Sequence, residues 1–207
     1  MNMKKNYFFI VSIILLALSF FAFSDNIITD IGQKSNSDPK FIIHGLFCFA
    51  WFSLLVFQTF YIRKADYATH KRVGIIGAWI AAGVLISTVY VFVVIFKSWE
   101  ETWFVAKANR FFMASYAILI ILAFVNKAVS VKHKRYIYLA TIYMLGPILD
   151  RVAGKLDMDE ILFNSIVWNA LFISVFAYDW ITIRRIHPIN WIGYLWFYIV
   201  WALAILT

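Results

Sequence analysis

Apolar runs of 15 to 24 residues alternate with short polar stretches along the whole chain. A segment of about 20 apolar residues crosses the hydrocarbon core of a bilayer. The pattern therefore predicts seven transmembrane helices, at 7–23, 41–62, 73–96, 110–126, 136–150, 161–180 and 189–206. The expected fold class is all-α, a polytopic membrane helical bundle of one leading helix followed by three hairpins. The fifth span is short and contains Gly146-Pro147, which predicts a kink or a re-entrant end. Loops are brief throughout, so residues 1–207 are expected to form a single transmembrane domain.

The first span follows Lys4 and Lys5 and ends near Ala22-Phe23-Ser24, which imitates a signal-peptide cleavage site. Bulky aromatics run to its end, so it is expected to be retained as a helix. Residues 24–40, with Asp25, Asp30, Gly32, Asp38 and Pro39, predict an exposed loop.

Composition agrees with the pattern: 63% hydrophobic and 20% aromatic residues against 14% charged lie outside the range of soluble domains. A net charge of +8 would suggest nucleic acid in a soluble protein, but here the basic residues collect in alternate loops. With seven spans, one side carries twelve Lys/Arg and only two acids, Asp66 and Asp179, whereas the other carries seven Lys/Arg and nine acids. The first side is expected to be cytoplasmic, which gives N-in/C-out and puts Trp99 and Trp103 in an outer aromatic belt. No nucleic-acid partner is expected. Cys48 is the one cysteine, so neither an intrachain disulfide nor a paired-cysteine metal motif can form.

Charge is concentrated in three basic turns, at 63–72, 131–135 and 183–188. His70, His133 and His187 stand at the starts of the third, fifth and seventh spans, and the first two are followed by Lys71-Arg72 and Lys134-Arg135. This recurrence suggests parallel repeats of a hairpin. A helix N-terminus is already partly positive, so cations gathered there call for an anion. A lipid phosphate or the phosphate of an amphipathic substrate supplies it. The plainer alternative makes these residues positive-inside anchors. A third makes the histidines ligands of zinc or of a haem iron. Against it stand the neighbouring cations and the scarcity of well-placed carboxylates other than Asp179.

Within the spans, His44, Trp51 and Gln58 recur every seven residues and form one stripe on a helix. Polar groups in hydrocarbon must find partners, so the stripe is expected to face the bundle interior. Asn109, Arg110, Asp150, Arg151, Asn164 and Asn169 lie toward the outer side. Either they converge with His44 on an outer polar pocket, or Asp150 and the outer-loop acids pair with Arg110 or Arg151 as an interfacial lock. Asp179 is expected to neutralise one of the basic turns.

Several chemistries are excluded. The last span has no lysine for a retinal Schiff base. No two histidines fall four apart, and no H-E-x-x-H, phosphate-binding glycine loop, G-x-S-x-G or C-x-x-C occurs. No catalytic residue is singled out, and the leading expectation includes no cofactor.

The succession His44, Trp51, Gln58, His70-Lys71-Arg72-Val73-Gly74, His133-Lys134-Arg135, Pro147, Arg151, Asp179 and His187-Pro188 resembles a pattern in bacterial multi-pass inner-membrane proteins of no assigned activity. More remotely, the histidine-bearing turns resemble those of cytochrome b561-like proteins and of small assembly factors of haem-copper oxidases. The three-plus-one distribution of histidines departs from the b561 arrangement of ligand pairs at two depths. The resemblance implies a bacterial inner-membrane location. The leading expectation is a protein that binds an anionic lipid or amphiphile at the turns carrying His70, Lys71, Arg72, His133, Lys134, Arg135 and His187. An outer pocket is expected around His44, Trp51, Gln58, Asn109 and Arg151. The alternatives are a redox protein holding one b-type haem or a metal, and a small transporter or assembly partner of other membrane proteins.

Overall fold

The computed structural model describes residues 3–30 and 32–207, and the regular elements among them are all helical. In order they are α1 (Met3–Ala22), α2 (Pro39–Arg63), α3 (Tyr67–Ile95), α4 (Phe104–Val125), α5 (Ser130–Tyr143), α6 (Gly146–Lys155), α7 (Glu160–Ile183) and α8 (Pro188–Leu206). A single π-helical turn, Asp25–Thr29, and a 3-10 turn, Lys34–Asn36, shape the segment between α1 and α2. Five helices, α2, α3, α4, α7 and α8, are long and apolar enough to cross a bilayer, and α1 carries a shorter apolar stretch, Asn6–Ala22.

Two helices begin earlier than their apolar runs. α3 starts at Tyr67 and α5 at Ser130, so His70-Lys71-Arg72 and His133-Lys134-Arg135 occupy first helical turns, not loops. Hydropathy marks where lipid ends, whereas a helix begins wherever its first N–H groups find acceptors. Ahead of α3, Ala65 takes a left-handed φ of 58° and Asp66 accepts from the Thr69 N–H at 3.0 Å. The hydrogen bonds from Thr69 hold the Asp66 carboxyl below the usual carboxylate range.

The fifth predicted span, 136–150, is two helices. Pro147 sits in the first turn of α6, where a missing N–H costs nothing. In a continuous helix its ring would collide with the carbonyl four residues back, that of Tyr143, and α5 ends at that residue. The end tightens through i→i+3 bonds from Met144 N to Thr141 O and from Leu145 N to Ile142 O. The Ile142 carbonyl also accepts the indole N–H of Trp168 at 2.9 Å. α5 and α6 have 14 and 10 residues, so at 1.5 Å per residue each is shorter than the hydrocarbon core is thick.

The chain divides into two compact units, Met1–Val94 and Ile95–Thr207. In the first, α1 lies along α2. Buried Ser12, Leu15, Ser19 and Ala22 form its inner stripe, Ser12 Oγ lies 3.0 Å from Thr59 Oγ1, and Phe20 packs on Phe49. The opposite stripe of α2 meets α3. A Cβ on Gly77 would stand 2.9 Å from Leu54 Cδ2, and one on Gly83 would overlap the Phe47 ring. Small residues bring helices together where lipid offers no hydrophobic drive. Gly83→Val is expected to cost about 1–3 kcal/mol by overpacking, measured as a lower unfolding temperature in detergent.

The second unit has an aromatic core. Phe112 of α4 stacks on Phe197 of α8 at 5.3 Å and meets Tyr143 at 5.2 Å, with Trp168 and Trp201 around it. Polar tips of core aromatics are satisfied by backbone: Tyr143 donates to Gly193 O at 2.6 Å and Tyr138 to Leu171 O at 2.7 Å.

Candidate functional site

The densest polar arrangement in the second unit lies where α5, α7 and α8 meet. Asp179, in the last turns of α7, is fully buried, and Arg135 of α5 is 1% exposed. The two form an ion pair through Arg135 Nη2 and Asp179 Oδ1, with Arg135 Nε 3.4 Å from Oδ2. Oδ2 also accepts from the backbone N–H of His187 at 2.9 Å and from Asn190 Nδ2 at 2.8 Å, while Arg135 Nη1 donates to Val131 O at 2.6 Å. Asp179 thus closes the α7–α8 corner, where Arg184 takes a left-handed φ of 60°, and anchors α5 to it. A carboxylate at the C-terminal end of α7 is poorly placed for that helix, but it faces the N-terminus of α8, where it is favoured.

The rest of the basic cluster surrounds this pair. His187 is the N-cap of α8, its Nδ1 accepting from the Ile189 N–H at 3.2 Å. Partial burial, then the positive charges of Arg135, Arg185 and Lys132, push the His187 imidazole below its ordinary value, with Asp179 opposing them. His133 Nδ1 lies 2.9 Å from Ala123 O, and Lys134 Nζ donates to the Tyr178 hydroxyl at 2.8 Å. The two rings therefore use Nδ1 in opposite senses: His133 donates from it to the Ala123 carbonyl, whereas His187 accepts at it from the Ile189 N–H. Lys132, Arg184 and Arg185 are exposed.

In the first unit, the stripe of His44, Trp51 and Gln58, expected to face the bundle interior, lies along one side of α2, and its His44 end turns toward α3. His44 Nδ1 lies 3.2 Å from Ser87 Oγ and 3.4 Å from Thr88 Oγ1, with Cys48 Sγ 3.6 Å from Nε2. Trp51 is buried, and both polar atoms of the Gln58 amide are buried without a hydrogen-bond partner. Lys71 and Arg72 are exposed on the first turns of α3, with His70 beside them half-buried. The other residues expected in an outer pocket belong to the second unit. Asn109 of α4 faces Gly146, where a Cβ would stand 2.7 Å from its Oδ1, and Arg151 is half-buried on α6. Arg110 donates to Ala106 O at 2.9 Å, and Asp150 accepts from Asn164 Nδ2 at 2.5 Å.

Sequence reasoning placed Asp179 against a basic turn but did not find its second amide partner, Asn190. The available signal was a lone Asn in the first turn of an apolar helix, a polar group that must be answered inside the protein. Ser87 and Thr88 were also missed, because a hydroxyl in a membrane helix can bond its own backbone, as both do here to Val84 O. Among the described residues, no three His, Cys, Asp or Glu side chains come together in a metal-ligating group.

The five long apolar helices and this internal polar bonding define a multi-pass, all-helical membrane protein. Compared with protein-family models, with curated proteins and with solved structures, the chain matches none.

Proposed function

We propose that this is an inner-membrane protein of bacterial type that holds an anionic headgroup, a lipid phosphate or the phosphate of an amphiphile, against its basic helix ends. On this proposal α1 and the α5–α6 pair join the five long helices to make seven crossings with the N-terminus inside. The observation that carries the ligand reading is the field on His187. Arg135, Arg185 and Lys132 all act on it, and Asp179 is the single carboxylate that opposes them. Asp179 is spent on Arg135, so the charges of Lys132 and Arg185 remain at the N-terminus of α8, where the helix dipole adds to them. An anion at that point is favoured by all three.

The test is the lipid content of the purified protein. Lys132→Ala with Arg185→Ala leaves the buried pair intact and removes two exposed charges worth about 1 kcal/mol each toward an anionic surface, or roughly 30-fold in affinity together. Native mass spectrometry is expected to show phosphatidylglycerol or cardiolipin lost from the double variant. Unchanged retention would leave these residues as topological anchors only.

A further inference from the structure

A cavity at the other end of the second unit has the opposite electrostatic character to the basic cluster around His187. It is a cleft of about 200 Å³ among α4, α6, α7 and α8, with Trp103, Trp168, Trp201, Asp150, Glu160 and Asn164 in its walls. Asn164 and Asp179 stand 15 residues apart on α7, so the cleft is about 22 Å from the Arg135–Asp179 pair.

Three properties of the walls narrow what can enter. Indoles dominate, with the Trp168 and Trp201 rings 5.8 Å apart at 65°, and indole faces attract cations. The carboxyl groups are those of Asp150 and Glu160, beside the Tyr198 phenol, and among the described residues lining the cleft none is basic. Asn164 is 7% exposed and gives its Nδ2 hydrogen to Asp150, yet its Oδ1 is buried with no partner. Its neighbour Asn169 shows the contrast: Nδ2 donates to Ser165 O, and Oδ1 accepts from the Tyr194 and Tyr198 hydroxyls. A buried acceptor without a donor carries its full desolvation cost.

An anion is repelled by the two carboxylates. A neutral apolar guest leaves Asn164 Oδ1 unanswered, and a quaternary ammonium has no N–H to offer it. A group that is positively charged, donates hydrogen bonds and sits on a small apolar body satisfies every wall. We infer that this cleft binds a protonated primary amine, its N–H groups directed to Asn164 and the carboxylates, and its carbon skeleton against the indoles. The volume is below that of a pocket for a drug-sized ligand. The ammonium-bearing end enters and any longer chain stays outside, so the amine is either a small free one or the ethanolamine headgroup of a lipid.

Titration of the full-length protein in maltoside detergent, followed by tryptophan fluorescence, tests this. Phenethylammonium is expected to give a saturable change, with 2-phenylethanol and phenyltrimethylammonium at least about tenfold weaker because each lacks part of the match. Asn164→Leu and the exposed Glu160→Gln are each expected to weaken phenethylammonium. Glu160→Gln keeps the test decisive if the Asn164 variant fails to fold. In lipid nanodiscs, preferential retention of phosphatidylethanolamine over phosphatidylcholine, displaced by phenethylammonium, assigns the site to a headgroup. Binding of the free amine without that preference assigns it to a soluble amine. Equal affinity for the amine and the alcohol, no saturable binding, or undiminished binding in a folded Glu160→Gln variant overturns the inference.

Discussion

Asp179→Ala is expected to lower stability by about 3–5 kcal/mol, the cost of leaving a buried charge uncompensated. Arg135 cannot retreat to solvent, since it is 1% exposed and is tied by Nη1 to the Val131 carbonyl inside its own helix. The same substitution strips the acceptor from the His187 N–H and from Asn190 Nδ2, so the α7–α8 corner loosens together with α5. Replacing both charged residues, as Arg135→Leu with Asp179→Leu, is expected to cost less than the sum of the single Leu variants by about 1–3 kcal/mol. Thermal unfolding in detergent of the wild type, the two single variants and the double variant gives the coupling directly. Strictly additive losses would mean that the two side chains do not depend on one another.

Phe112→Ala should have the second largest effect. Its ring is 1% exposed and meets four aromatic rings contributed by α5, α7 and α8, so its removal opens a void shared by every long helix of the second unit. In water a Phe→Ala change of this kind costs about 3–5 kcal/mol. In a bilayer the unfolded reference is also apolar, so the transfer part shrinks and the lost dispersion contacts dominate, which puts the expected loss near the lower end of that range. Phe112→Leu refills much of the void and should recover most of the loss in the same unfolding measurement. A Phe112→Ala variant as stable as the wild type would show that the aromatic cluster is loosely packed.

What was legible in the sequence depended on whether the signal was local. The stripe of His44, Trp51 and Gln58 repeats every seven residues on one helix, so one side of α2 carries all three, and His44 lies against Ser87 of α3. Gly146-Pro147 announced the break that divides 136–150, because a proline acts on the carbonyl four residues before it. The partner of Asp179 was legible only as a class, a residue of some basic turn. Choosing Arg135 over Arg184 or Arg185 depends on α5 lying beside α7, which no short-range pattern encodes. The starts of α3 and α5 were hidden for a different reason: Lys and Arg are good helix formers, yet in a hydropathy pattern they look like loop. The cleft was the least legible of all. Trp103, Trp168 and Trp201 come from different segments at unrelated spacings, and Asn164 and Asp150, which the sequence offered for an outer pocket, acquire their meaning only beside them.

The 44-residue separation within the Arg135–Asp179 pair bears on how the chain is made. At a synthesis rate of about 5–20 residues per second, Arg135 is completed roughly 2–9 s before its counter-charge exists. During that interval the first turns of α5 carry Lys132, Lys134 and Arg135 with no acidic residue in the helix to answer them. The corner of α5, α7 and α8 can therefore close only after α7 has delivered the carboxylate, so a helix from the middle of the second unit takes its final bonds from one made after it.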